Sequence, residues 1–308
     1  MIDAGSQYFK QVQLLIRVLP LVTEEACFAV KGGTAINLFV RDLPRLSVDI
    51  DLVYVPIEER ELSLSMMDAA LGRMSARIES MIAGIQVTHS RMHGTGVVSK
   101  LMLDLYGVRV KVEVNPVLRG LVHAPELLPV QARVEEQFGF AEARIASFTD
   151  LYGGKICAAL DRQHPRDLFD VGDLLRHEGL TPELINVFLV YVISHPRPIA
   201  ELLQPNFKEL SVVYMREFAG MTTEPCELDA LIEIRRNLVE GLGKRLSQSH
   251  KDFLRSFKFG EPQWDLLGLS DVPGLPAVQW KLQNIRNMQE AKRGIALEKL
   301  EAVLQGMC

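Results

Sequence analysis

Two stretches, KGGTAINLF (31–39) and SVDIDL (47–52), decide how this chain reads. The apolar run CFAVKG reads as a short strand that turns at Gly32-Gly33, and helical spacing resumes from Thr34 to Val40. A strand entering a helix through glycines presents backbone N–H groups at the positive end of a helix dipole. Glycine also lets a phosphate approach closely. Thr34 adds a hydroxyl at the same spot. In the second stretch Val48, Ile50 and Leu52 point one way and Asp49 and Asp51 the other. Two carboxylates so placed repel each other unless a cation sits between them. Magnesium favours carboxylate and phosphate oxygens, so the pair reads as a holder of Mg²⁺ and a nucleoside triphosphate. The reaction class is then phosphoryl or nucleotidyl transfer. The plain alternatives are an ordinary tight turn and a solvated strand face. The apolar neighbours weigh against the second, because unpaired acids on a buried strand are costly.

Around this centre, residues 8–20 read as a helix ended by Pro20, and 61–85 as an amphipathic helix with apolar steps from Leu64 through Met81 to Ile85. GVVSKLMLDLYG and VRVKVEVN alternate about Gly107 as a hairpin or two neighbouring strands. Glu113 shares a face with Arg109 and Lys111 and is a candidate third metal carboxylate. A salt bridge to either base is the alternative, and Asp104 is a weaker competitor. Thr95 between Gly94 and Gly96 reads as turn chemistry.

The second cluster is DLYGGKICAALDRQHPRDLFDV (150–171). Lys155, Ala159 and Arg162 fall near one helical face, a cationic pair suited to a triphosphate: Lys as a point charge, Arg as a fork. Pro165 starts a new helix bearing Asp167 and Asp170 on one face. The structural alternatives are a helix-start acid for Asp167 and an ion pair with Arg166 for Asp170.

After Pro116 helical patterns dominate, at roughly 149–162, 167–178, 182–193, 227–257 and 280–304. The expected division is 1–120 and 121–308. FGEPQWDLLGLSDVPGLPAVQW reads as a loop packed by two tryptophans. Lys244, Arg245, Lys251, Arg255 and Lys258, with Lys281, Arg286, Lys292 and Arg293 further on, form basic stretches that suit either a polyanion or plain solvation.

Composition bounds the rest. The 308 residues are 48% hydrophobic and 24% charged with net charge -5, which fits a globular chain and excludes a globally basic nucleic-acid binder. No apolar run reaches the roughly 18 residues a bilayer span needs. Four scattered cysteines without CxxC spacing argue against a zinc site or disulfide framework and fit a reducing cytoplasm. The histidines show no HxxxH or HExxH spacing.

The run KGGTAINLF…RLSVDIDL, then GGKICAAL, RDLFD and a closing PAVQWKLQNI, resembles the AbiEii nucleotidyltransferase toxins of toxin–antitoxin systems, distant relatives of the polymerase-beta nucleotidyltransferases. The resemblance spans about residues 25–290. It implies an α+β fold: a small mixed sheet with helices, followed by a helical C-terminal domain, with the active site in the cleft between them. It implies Mg²⁺-dependent transfer of nucleotides, pyrimidines in characterised relatives, to the 3′ end of tRNA, and a cognate antitoxin. By the same resemblance Gly32, Gly33, Thr34 and Ser47 bind the nucleotide and Asp49 and Asp51 bind metal. Lys155 and Arg162 hold the nucleotide, and one of Asp167 and Asp170 is catalytic. A cytoplasmic monomer without a membrane span is expected. The rival expectations are an adenylyltransferase of small molecules or proteins, and a non-catalytic nucleotide-binding module.

Overall fold

The computed structural model describes residues 5–307. Its chain separates into two compact units, residues 1–151 with 220–225, and 152–219 with 226–308.

The first unit is a seven-stranded mixed sheet with helices. It opens with α1 (Gln7–Thr23), β1 (Phe28–Lys31), α2 (Gly32–Ala35) and a π-helical turn (Ile36–Val40). β2 (Asp49–Tyr54), α3 (Arg60–Met81), β3 (Ile85–Arg91), β4 (Val98–Leu105) and β5 (Val108–Val114) follow, then β6 (Glu126–Pro129), α4 (Ala132–Phe138) and β7 (Glu142–Ile145). Strand order is β3-β4-β5-β2-β1-β7-β6, with β2 parallel to β5 and β1 parallel to β7. β4 and β5 form the expected hairpin. Leu105 pairs with Val108, and Tyr106 (φ 52°) and Gly107 (φ 85°) make a two-residue turn of the kind that matches sheet twist. Asp104 is used there, accepting from Gly107 N at 2.9 Å and pairing with Arg109 at 2.8 Å.

α1 and α3 pack against the sheet. Ile50, Leu52, Val110, Val112 and Val114 are buried, and the charged residues between them reach the opposite face. Pro20 does not end α1, contrary to expectation. It lies in the last turn, where it forfeits a single backbone bond, and the buried Leu19 and Val22 carry the helix on to Thr23. In α3 the stripe Leu64–Met67–Leu71–Met74–Ile78 is buried as its spacing predicts. Met81 is 67% exposed, and Ile85 already belongs to β3.

The outer strands of the sheet are both irregular. β3 shifts register at Ser90/Arg91, and β6 is four residues long and ends in Pro129. The division expected at residue 120 falls inside this unit, because β6, α4 and β7 return to the sheet through the β1–β7 pairing.

α5 (Phe148–Asp161) leads into the second unit, which holds α6 (Pro165–His177), α7 (Pro182–Ser194), α8 (Ile199–Leu203), α9 (Ser211–Glu217), α10 (Leu228–Arg245), α11 (Gln248–Phe259), α12 (Pro276–Arg286) and α13 (Glu290–Gly306). Every regular element of this unit among the described residues is helical. Gly153 and Gly154 allow close packing. A Cβ at Gly153 would lie 3.0 Å from the Tyr191 ring and 3.3 Å from Phe188 N on α7. The single helix expected over 227–257 is two. Ser247 Oγ accepts from His250 N while Ser247 N donates to His250 Nδ1, a capping box that starts α11 afresh. Of the two tryptophans only Trp264 packs the loop, against Phe253 and Phe257. Trp280 is on α12 and 59% exposed.

Candidate active site

In the first unit the strand register builds a charged row. Lys31 of β1 lies opposite Asp51 of β2, Asp51 opposite Glu113 of β5, and Glu113 opposite Lys100 of β4. One step along, Asp49 is opposite Lys111. Residues paired across strands share a face, so Asp49, Asp51, Lys111 and Glu113 form one polar patch. Lys111 Nζ is 2.9 Å from Glu113 Oε2 and 3.8 Å from Asp49 Oδ2. Burial alone would lower the Lys111 pKa. The hydrogen bond to Glu113 and the charges of Asp49 and Asp51 outweigh it and hold the ammonium charged. Burial likewise pushes the Glu113 carboxyl up, but Lys111 and Lys100, the latter at 3.2 Å, bring it below the usual range.

The diglycine stands beside these acids. Gly32 has φ 73°, and a Cβ there would lie 2.6 Å from Asp51 Oδ2. A Cβ on Gly33 would lie 2.8 Å from Arg45 Nη2 and 2.9 Å from Ser47 Oγ. Thr34 departs from expectation. It is 1% exposed, donates to Asp49 O, and lies 3.1 Å from Ser47 Oγ. Its hydroxyl braces the turn against the head of β2 instead of facing outward. Ser47, 7% exposed, is part of the same brace. Asn37 Nδ2 donates to Gly33 O at 2.9 Å and steadies the turn from the following helix.

The donor chemistry suits magnesium: carboxylate oxygens two residues apart on one strand face, with a cation already drawn among them. Mg²⁺ binds through one or two carboxylates together with substrate phosphates, and Asp49 and Asp51 supply that number. Among the described residues no group of three His, Cys, Asp or Glu side chains is placed to hold a metal ion. Glu113 is taken up by its two lysines.

In the second unit Lys155, Arg162, Asp167 and Asp170 come together. Lys155 Nζ is 3.0 Å from Asp167 Oδ1 and 3.1 Å from Asp170 Oδ2, and all three side chains are buried. Arg162 grips Asp167 with Nε at 2.5 Å and Nη2 at 2.9 Å. Burial would raise the Asp167 pKa, but Lys155 and Arg162 override it and hold the carboxyl far below its usual range. Two cations and two anions balance, and the cluster locks α5 to α6. Asp170 pairs with Lys155, while Arg166 faces Glu217 at 3.8 Å. Arg162 is the solvent-facing member, 60% exposed. His164 caps α6, accepting from Arg166 N at 3.1 Å.

Two residues of the first patch escaped the sequence reading. Arg45 is 2% exposed beneath the diglycine, and Lys100 reaches Glu113 from β4. Arg45 belongs to an irregular approach to β2, where no periodicity marks it. Lys100 becomes visible only once the β4–β5 register is known.

The family described as nucleotidyl transferase AbiEii toxin, type IV toxin–antitoxin system, matches residues 13–284. MenT4, a nucleotidyltransferase toxin from Mycobacterium tuberculosis, has a similar structure: TM-score 0.55 and 15% identity over 96% of this chain and 93% of that one. Terminal uridylyl transferase 4 from Trypanosoma brucei, solved with bound dUTP, aligns over 98% of this chain and 99% of its own at 11% identity. Its TM-score of 0.29 is too low to bear on the fold. No curated protein matches the sequence.

Proposed function

The chain belongs to the AbiEii nucleotidyltransferase toxins of toxin–antitoxin systems, and on that premise we propose that it transfers nucleotides from a pyrimidine NTP, with Mg²⁺, to the 3′ end of tRNA, blocking translation. The observation that carries the reading is the shared face of Asp49 and Asp51 beside the Gly32-Gly33 turn. Asp49 and Asp51 would hold Mg²⁺, which when bound neutralises charge on the triphosphate. The Gly32-Gly33 turn, at the start of a helix, receives phosphate oxygens on backbone N–H groups. The acceptor's 3′ oxygen bonds to the α-phosphorus as the bond to the bridging oxygen breaks. Pyrophosphate leaves with that electron pair, and the hydroxyl proton passes to a carboxylate of the β2 face. Positioning and charge supply most of the rate in such a reaction.

Glu113 serves this face indirectly, by fixing Lys111 beside Asp49. In the second unit Arg162 is the group exposed enough to meet a phosphate. Asp167, Asp170 and the buried Lys155 hold it in place. Family membership implies a cognate antitoxin, and a cytoplasmic monomer is part of the proposal. Among the described residues no helix is long and apolar enough to cross a membrane.

The test is transfer of labelled NTPs to total tRNA, with mass spectrometry of the 3′ ends. Wild type extends the ends. Asp49→Ala, which removes a metal carboxylate, loses nearly all transfer, a loss of several kcal/mol of transition-state stabilisation. Unchanged 3′ ends with wild type, or undiminished transfer by Asp49→Ala, refutes the proposal.

A further inference from the structure

A recess in the second unit, formed by the start of α8, the end of α11 and α13, has a volume of about 230 Å³. Three lysines line it, Lys258, Lys292 and Lys299, with Glu201 as the sole acid among its lining residues, and Ile199 and Ile295 give it apolar walls. Lys258 is the unusual member. It is 7% exposed, and among the described residues no hydrogen bond or ion pair to it is found. Its neighbours on α11 are served: Arg255 is paired with Glu301 at 2.6 Å and Lys251 with Met307 O at 2.5 Å. Lys281, whose ammonium is held by the carbonyls of His195, Pro196 and Arg197, feels Lys258 as a like charge. Burial draws the Lys258 pKa below its usual value with no carboxylate to offset it.

The stem of Lys258 is covered, and its ammonium, with three donors and no protein acceptor among the described residues, is left to whatever enters the recess. Here that ammonium lines an open recess rimmed by two exposed ammoniums. The volume is several times the ~30 Å³ share of one water, which leaves room for a tetrahedral oxyanion. We propose that the recess is a phosphate-binding site with Lys258 at its floor and Lys292 and Lys299 at its rim. The phosphate is either a free ion or one group of a polynucleotide backbone. The second source rests on the proposed RNA acceptor, whereas the site itself does not.

Thermal unfolding of the full chain in inorganic phosphate, against chloride at matched ionic strength, tests the site. Binding of a fluorescent single-stranded RNA across a salt series identifies the source. Phosphate raises the Tm of wild type. Lys258→Met, which keeps the stem and removes the charge, is at least as stable as wild type without phosphate and no longer responds to it. The paired variant Lys292→Gln/Lys299→Gln, altered only on the surface, responds with about tenfold weaker apparent affinity. If the backbone of RNA is the source, Lys258→Met also makes the negative slope of log K against log salt shallower by about 0.7, the contribution of one phosphate on a single strand. A lost phosphate response with an unchanged slope assigns the site to the free ion. An equal phosphate response in wild type and both variants, or none in wild type, overturns the proposal. Asp49→Ala serves as the reference: it loses transfer but keeps the phosphate response and slope, so failure of the transferase reading is distinguishable from failure of this one.

Discussion

Replacing Gly32 by alanine separates stability from catalysis. Gly32 has φ 73°, and an added Cβ would lie 2.6 Å from Asp51 Oδ2 and 3.3 Å from Asp51 Cβ and Cγ. The left-handed backbone costs a non-glycine residue about 1–2 kcal/mol. The clash costs little more, because the carboxylate ends a half-buried side chain that can swing aside. That swing carries Asp51 away from the turn. A displacement of about 1 Å in a positioned group can cost about 100-fold in rate. The expected outcome is a loss of about 1–2 kcal/mol in urea unfolding, with transfer of labelled NTP down about 100-fold. Gly33→Ala provides the contrast. Its Cβ meets Arg45 and Ser47, which are 2% and 7% exposed, so its cost falls mainly on stability. Transfer by Gly32→Ala within about threefold of wild type, at the expected stability loss, refutes the argument that the diglycine positions Asp51.

Other outcomes follow from the second unit. Asp167→Asn lowers stability at pH 7 by about 3 kcal/mol, because it uncouples a buried ion pair. The Asp167 pKa is below its unfolded value, so its contribution is complete above the usual carboxylate range and fades as pH falls. The gap between wild type and variant in Tm therefore narrows below about pH 5, and a gap independent of pH contradicts the assignment. Ser247→Ala, which removes the cap of α11, costs about 1 kcal/mol in urea unfolding, and no measurable loss contradicts the cap's role. Acrylamide quenches Trp264→Phe protein, which retains only exposed Trp280, more than Trp280→Phe protein, which retains packed Trp264. The reverse order refutes the packing described for the loop.

The features that sequence made legible share one property: their periodicity is local. Alternation in 49–52 and 108–114 sets Asp49, Asp51 and Glu113 on their faces, and the three-and-four spacing of 64–78 marks the buried stripe of α3. Contacts between distant segments are different. β6 and β7 are four residues each and too short to show a pattern, so their return to the sheet was invisible. β3 alternates only over 85–88 before turning wholly polar and exposed, too short a pattern to mark a strand. The inward hydroxyl of Thr34 depends on where the head of β2 lies. The break between α10 and α11 was hidden because histidine fills the capping-box position where glutamate or glutamine is the usual sign. At 155–170 the spacing indicated shared helix faces. It could not show that Lys155 is buried between two aspartates, since that requires α5 and α6 to be docked.

The irregular margins of the sheet bear on how the toxin behaves when abundant. A long, flat outer strand offers its unpaired amides and carbonyls to any copy that drifts past. In this protein one flank is a four-residue stub closed by an imino acid, which has no amide hydrogen to give, and the other is thrown out of step at Ser90/Arg91. Accumulated chains are thereby denied a ready template for sheet-to-sheet polymerisation, and self-association by strand addition is disfavoured at both flanks.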